Sequence, residues 1–435
     1  PLLFILIGGG LYLLFVSKFL PFKYFFHAID IVRGKFNDKK SDGEISHFQA
    51  LTTALSATVG MGNIAGVAVA ISIGGPGAIF WMWVSGIIGM STKFFTSALA
   101  VMYRGVDSAG KKQGGPMYFI VNGLGKKWFP MAMFFSFCGM VGALPVFNVN
   151  QLTQAINDIV LKPNGFEVSL FSNSIIGLIL IILTSIVILG GLKRISRVSA
   201  RLVPFMVGVY IISILAILIV NYNNVPEYLY LIFYDAFNAD YYSGNSALGG
   251  VLGALIILGI RRGAFSNEAG IGMAPMAHGA AKTNNPIKEG FVAMLGPFID
   301  TLMVCTMTAL AILVTGAWKT QADGVSLTAA AFESSFSGIG NYILLACVFV
   351  FSISSLFSYS YYGTKCLSFI AGDNNKKKYN YIYIISIMLG ATTSLSMMIN
   401  LIDTFFALMA IPTMIATLIL APKVLNELKK YEIKR

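Results

Sequence analysis

The nine residues from Thr58 to Gly66, Thr-Val-Gly-Met-Gly-Asn-Ile-Ala-Gly, lie in the middle of an apolar segment running from about 48 to 73. A segment of that length can cross a bilayer. Gly60 and Gly62 around Met61, followed by Asn63, make a poor helix, since glycine costs about 1 kcal/mol against alanine. In lipid, such an interruption survives only where the freed backbone groups face a cavity or other protein. The stretch therefore predicts a helix broken at mid-membrane, with main-chain groups holding a small polar ligand or ion. A kink, or a close contact of small residues between helices, accounts for the same residues.

Composition sets the environment of that break. The 435 residues are 56% hydrophobic and only 11% charged, and apolar runs near twenty residues recur along the chain. That describes an all-α polytopic membrane protein. Eleven spans are expected, at about 2–20, 48–73, 77–103, 129–160, 171–190, 202–221, 247–262, 289–315, 340–370, 380–399 and 402–421. The first has no small-residue cleavage site after it and reads as a helix, not a signal peptide. The sequence opens at Pro1 without methionine, so a few preceding residues are expected. Cys138, Cys305, Cys347 and Cys366 fall inside spans at unrelated spacings, as small core residues do.

Basic residues alternate between loops. Segments 21–47 and 104–128 carry five each and 191–201 carries four, whereas the intervening loops carry only Lys162 and Lys319. The bias places the N-terminus outside and the C-terminus in the cytoplasm. The net charge of +12 then faces anionic lipid and cytosol, and requires no nucleic-acid partner.

The spans repeat. Starts at 77, 129 and 171 recur at 289, 340 and 380, about 210 residues later, and those at 48 and 202 recur at 247 and 402. Each half has five spans, so the second half is inserted upside down. Five-plus-five inverted repeats opening on broken helices describe a secondary transporter. The divisions expected are 1–47 (a peripheral helix and linker), 48–222 (the first repeat), and 223–435 (the second repeat and tail). The break in the second half is expected between Gly253 and Gly259, with Ala254 and Leu258 facing the cavity. The polar, glycine-rich run 263–272, including Asn267 and Glu268, is expected at the cytoplasmic end of an inner gate; an ordinary surface loop is the alternative.

Charges inside spans are functional candidates by default. Lys93 and Asp300 each lie 11 residues from the cytoplasmic edge of their spans, roughly 16 Å deep at the helical rise. They are expected to approach each other; solvation of each by backbone or water is the other possibility. Asn148 and Gln151 follow Pro145, and Gln151 has the donors and acceptor that suit a zwitterion. Ser352, Ser354, Ser355, Ser358 and Ser360 form a hydroxyl run that, with unwound carbonyls, suits sodium, although helix packing explains any single serine. The Tyr- and Phe-rich loop 222–246 reads as an interfacial helix capping the cavity.

Several of these residues carry a resemblance. Gly43-Glu44-Ile45-Ser46, Phe48-Gln49-Ala50-Leu51, Thr58 to Gly66, Gly74-Gly75-Pro76-Gly77-Ala78-Ile79-Phe80-Trp81-Met82-Trp83-Val84, Arg262-Gly263, Phe265 to Gly270 and Asp300-Thr301 resemble the alanine or glycine:cation symporter family. Together the matches cover about 43 to 420, and the tryptophan-containing segment is highly specific. The resemblance implies a LeuT-type fold, sodium-coupled import of small neutral amino acids (alanine, glycine), and a bacterial inner membrane. It implies that the ligand carboxylate meets backbone N–H groups between Gly60 and Asn63, near Thr58, at the start of a half-helix where anions are favoured. It also implies Gln151 at the ligand, and sodium at Ser354 and Ser355 beside the carbonyls of Ser56 and Val59. Met61 departs from the pattern, standing where members usually carry threonine. That exchange of a hydroxyl for a thioether leaves the amino acid open, with a larger neutral one such as glutamine as the alternative.

Alternating access around a site between the second, fourth, seventh and ninth spans needs binding and coupling but no chemistry. An enzyme is not expected: His27, His47 and His278 read as unclustered, and G-x-S-x-G, H-E-x-x-H and Walker A sequences are absent. No cofactor is expected, with Na+ as the coupling ion. An ion channel is the competing class, since glycine-rich breaks also line filters; the inverted repeat argues against it.

Overall fold

The computed structural model describes residues 2–36, 41–108, 110–241, 248–320, 322, 324–393 and 395–433. Lys39 and Lys40 of the first basic loop, and the expected span start at 247, lie outside the described residues. The chain is almost wholly helical. Between the third span and the next helix it adds a two-stranded antiparallel ribbon, Gly105–Val106 with Lys112–Gln113, a small exception to the all-α expectation.

Among the described residues, seven helices are long and apolar enough to cross a membrane: Gly77–Met102, Lys126–Asn164, Leu170–Ile188, Gly191–Val220, Pro286–Val314, Gly340–Ala371 and Asn400–Tyr431. The pair His47–Thr58 and Gly62–Gly74 is an eighth, bent by 56°. Three other expected spans also form helices, Leu2–Val16, Leu248–Asn267 and Lys376–Thr392.

Local chemistry explains where the helices begin. Ser46 caps His47–Thr58 reciprocally: its Oγ accepts from the Gln49 amide at 3.2 Å, and its own amide donates to Gln49 Oε1 at 3.0 Å. Asn285 caps the next bundle helix through the Ile287 and Lys288 amides, with Pro286 in the first turn. The cap of Gly77–Met102 comes from far away: Asp235, wholly buried, accepts from the Gly77 amide at 2.7 Å and from the Tyr241 amide at 3.0 Å. A Cβ on Gly77 would lie 2.6 Å from the Ala236 nitrogen, which explains the glycine there. The helix Val225–Asn238 thus anchors Gly77–Met102 and does not itself line the cavity described below, and residues 242–246 of the expected capping loop lie outside the described residues.

The end of the molecule that carries most basic residues is sealed. The Glu44 amide donates to the Ala280 carbonyl at 2.8 Å, and the Lys282 amide to that of Ile45 at 2.7 Å. The Arg104 guanidinium donates to the carbonyls of Gly279, Ala281 and Thr283. His47 and His278 both bond the buried Glu289 carboxylate through Nδ1. Two of the three histidines are therefore clustered after all. Residues 47, 278 and 289 converge only when the halves pack together, which spacing along one chain does not reveal.

Candidate ligand site at the helix breaks

The first break falls inside the expected stretch. The helix from His47 stops at Thr58, Val59 turns extended (φ −75°, ψ 91°), and Gly62–Gly66 restarts as a wide π-helical turn. First-turn amides of a helix have no carbonyl one turn back. Asn63 settles two groups, its amide donating to the Gly60 carbonyl at 3.1 Å and its Oδ1 accepting from the Gly60 amide at 2.8 Å. The first-turn amides of Met61 and Gly62 lie between them.

The second break is not where glycine spacing placed it. Leu248–Asn267 runs through Gly253 and Gly259 without interruption. Gly259 and Gly263 instead form a seam against Gly77–Met102: a Cβ would lie 2.5 Å from the Ala78 carbonyl oxygen at Gly259, and 2.8 Å from Ser85 Cβ at Gly263. Leu258 packs on Gly74, and neither Ala254 nor Leu258 lines the cavity. The chain breaks just after Asn267, where Glu268, Gly270 and Gly272 take positive φ values of 53°, 87° and 108°. The run 263–272 is thus a buried helix end and a break against Asn63, not an ordinary surface loop.

A cavity of about 100 Å³ lies at these breaks. Its walls are Thr58, Gly60, Met61 and Gly62 from the first break, Arg262, Phe265, Ser266 and Glu268 from the second, Leu144, Phe147 and Asn148 from the kink at Pro145, Tyr359, and Ile402, Asp403 and Phe406. The last three open the helix Asn400–Tyr431, whose far end, Tyr431, bonds His27. The cavity therefore lies toward the end opposite the seal. Arg261 pairs with Asp403 there at 2.9 Å.

Four of the expected ligand residues, Thr58, Gly60, Met61 and Gly62, line this cavity, and four do not. Asn63 is a strut behind its wall: its Nδ2 donates to Asp300 Oδ1 at 2.7 Å and to Ser266 Oγ at 3.3 Å. Gln151 lies one turn beyond Asn148, about 4.5 Å along the axis, and donates to Gln154 instead. The amide facing the cavity is that of Asn148. Ala254 and Leu258 are displaced with the break.

Behind the cavity, Asp300 binds both breaks together. Its Oδ2 accepts from Ser266 Oγ at 2.9 Å and Thr301 Oγ1 at 2.8 Å, in a π-helical stretch Phe298–Cys305. Asn267 donates to Thr301 Oγ1 at 3.2 Å. Lys93 is buried within electrostatic range of Asp300 and Glu268, yet no direct ion pair joins Lys93 to Asp300 among the described residues. The bundle brings the two to one neighbourhood, and the Asp300 carboxylate is bonded instead by Asn63, Ser266 and Thr301.

The serine run faces the first half-helix. Ser56 Oγ donates to the Ser354 carbonyl at 2.6 Å, Ser354 Oγ reaches the Ser56 carbonyl at 3.4 Å, and Ser355 Oγ reaches that of Ala57 at 3.4 Å. Ser358 Oγ donates to Ser56 Oγ at 2.9 Å. Ser56, Ser354 and Ser355 thus form one buried oxygen cluster beside the break at Val59. Sequence reasoning missed Tyr359 and Asp403. Tyr359 followed the serines by one residue, and Asp403 was a charge in the first turn of an expected span.

The family model for the sodium:alanine symporter family matches residues 1–435. The chain belongs to that family. The sodium/alanine symporter AgcS of Methanococcus maripaludis is 39% identical, over 100% of this chain and 95% of its own. The probable sodium/glutamine symporter GlnT of Bacillus subtilis is 35% identical, over 99% of this chain and 87% of its own. Among solved structures, MhsT in complex with L-phenylalanine superposes with a TM-score of 0.61 at 13% identity, covering 86% of this chain and 89% of that one. A Na+-coupled sialic acid symporter gives 0.53 at 10% identity, covering 97% and 98%. These two likenesses concern the fold, which is that of LeuT-type transporters. The family and its relatives are transporters, so this symporter-family chain is a multi-pass transport protein and not an enzyme.

Proposed function

We propose that the protein is a sodium-coupled symporter that imports a small neutral amino acid, alanine or glycine, by alternating access. The observation that carries this reading is the cavity at the first break, where Met61 and Gly62, at the restart of the helix, line a space with Phe265, Tyr359 and Phe406. A helix start favours the ligand carboxylate, and the apolar walls suit a short side chain. Sodium fits the neighbouring oxygen cluster, where Ser354 and Ser355 hydroxyls and the Ser56 and Val59 carbonyls supply hard ligands without fixed charge. The relatives named for alanine and for glutamine support amino-acid transport and leave the side chain open.

The eleven spans, the inverted five-plus-five repeat, and its divisions at 48–222 and 223–435 belong to the same reading, supported by the paired breaks and the LeuT-type neighbours. So does an inner membrane with the N-terminus outside, in which the sealed end faces the cytoplasm. Sodium stabilises the state with the outer path open, and the amino acid then favours closure; each shifts the equilibrium only by its differential affinity for the states.

The test is uptake of labelled alanine and glycine into proteoliposomes under inward sodium, potassium or proton gradients. Saturable accumulation driven by sodium is expected. Accumulation of glutamine alone would move the substrate to the larger class, and flux linear in concentration would favour a channel.

A further inference from the structure

Two cavity-lining side chains, among the described residues, keep a buried polar atom without a protein partner: Arg262 at Nε and Glu268 at Oε2. Arg262 lies toward the mouth, in the field of Asp403. Glu268 is different. It is 2% exposed, its Oε1 accepts from the Tyr359 hydroxyl, and its Oε2 accepts from nothing. A buried carboxylate oxygen without a donor is unfavourable, by about 1–3 kcal/mol or more. Such a group awaits a proton, a metal ion or an N–H donor.

The backbone also pays attention to this residue. Glu268 holds φ at +53°, a left-handed conformation that disfavours a residue with a Cβ by about 1–2 kcal/mol. A glycine would relieve it, and Gly270 and Gly272 do so at their own positions. Strain retained at a charged residue in a cavity wall is a signature of function.

Position selects the donor. A Cβ on Gly62 would lie 3.7 Å from Ser266 Cα, two residues before Glu268. The first-turn amides and the Glu268 carboxylate therefore flank the same small volume, an anion site beside an anion. An amino acid carries both charges on adjacent carbons and matches both. Sodium at Glu268 would need several oxygen ligands, and the hydrogen-bonded neighbour there is a single hydroxyl, that of Tyr359. Lys93 adds positive charge only at longer range.

We propose that Glu268 is the counter-ion for the ammonium group of the transported amino acid. Oε2 accepts a ligand N–H, Tyr359 fixes the carboxylate by holding Oε1, and the ligand carboxylate lies at the Met61 and Gly62 amides. This assignment rests on the amino-acid reading above. It makes the α-amino group, in addition to the carboxylate, a condition of binding.

The test is binding of labelled alanine to the purified protein in sodium, with lactate and propionate as competitors, and with sodium binding measured separately by tryptophan fluorescence without amino acid. The wild type is expected to bind alanine and to be displaced by neither desamino competitor. Glu268→Gln keeps the size and the acceptor for Tyr359 but removes the charge. It is expected to weaken alanine binding about 100-fold, the scale of a lost charge-assisted hydrogen bond, with sodium binding unchanged. Tyr359→Phe leaves the carboxylate in place and is expected to weaken alanine binding several-fold; it also carries the test if Glu268→Gln does not fold. Wild-type alanine affinity in Glu268→Gln, or equal displacement of alanine by lactate in the wild type, overturns the assignment. So does loss of sodium binding in Glu268→Gln, which would make the residue a sodium ligand. A wild type that binds no neutral amino acid in sodium defeats the amino-acid reading itself, a distinct outcome.

Discussion

The two helix breaks look alike in composition and differ in how they are made. The first uses glycine as a hinge: Gly60 and Gly62 flank Met61, and the helix bends there by 56°. The second helix contains more glycines, but Gly259 and Gly263 serve close packing against Ala78 and Ser85, and the helix continues past them. Its break is set by Glu268, Gly270 and Gly272 at positive φ. Glycine thus signals either a bend or a near neighbour, and only the partner helix decides which.

Removing what joins the breaks has the largest expected effect. Asp300→Ala removes the acceptor shared by Asn63, Ser266 and Thr301 and one of the two buried carboxylates whose field reaches Lys93. A loss of about 3–5 kcal/mol is expected, the scale for stripping one member of a buried polar network. A detergent melting curve and uptake measure it, and a wild-type melting temperature would mean that the breaks hold independently.

The glycines themselves separate seam from hinge. Gly259→Ala meets the Ala78 carbonyl and is expected to destabilise by about 1–3 kcal/mol. Gly253 has nothing within 4 Å of an added Cβ, so Gly253→Ala is expected to stabilise by up to about 1 kcal/mol. If Gly253→Ala were the more damaging, the unwound point would lie where spacing put it.

Cavity walls give a smaller contrast. Asn148→Ala is expected to weaken the apparent affinity for alanine about tenfold, a lost hydrogen bond, while Gln151→Ala changes it little. Reversed values would return the ligand to Gln151.

The smallest effect is at the sealed end. The Lys112 ammonium bonded to Asp42 holds that carboxyl below its ordinary 3.8. A lowered folded-state value means that the contact adds stability above the unfolded value and loses it as pH falls through the folded one. Asp42→Asn is therefore expected to lower the melting point slightly at neutral pH and to match the wild type under strongly acid conditions. Both side chains are about half exposed, so salt is expected to shrink the difference.

Much of this was legible in the chain. The first break and the buried charges Lys93 and Asp300 are local signals: a residue type at a fixed spacing, or a charge where lipid forbids one. The rest depends on partners far along the sequence. The Glu289 cluster with His47 and His278, the Asp235 cap on Gly77, and the seam at Gly259 each require two segments that only the fold brings together. Gln151 and Asn148 illustrate the finer limit, since one helical turn decides which amide faces a ligand and the sequence does not mark the turn.

The seal made by Arg104, by residues 44 and 45 with 280 and 282, and by Glu289 shares no residue with the ligand cavity. Nothing bound in the cavity can therefore prise it apart by contact. In the proposed alternating-access cycle these bonds must release before a path opens at this end, and the ligand can favour that release only through its differential affinity for the two states. On that reading the seal acts as a latch and not as a grip, and Arg104 variants are expected to change turnover while leaving alanine affinity near that of the wild type.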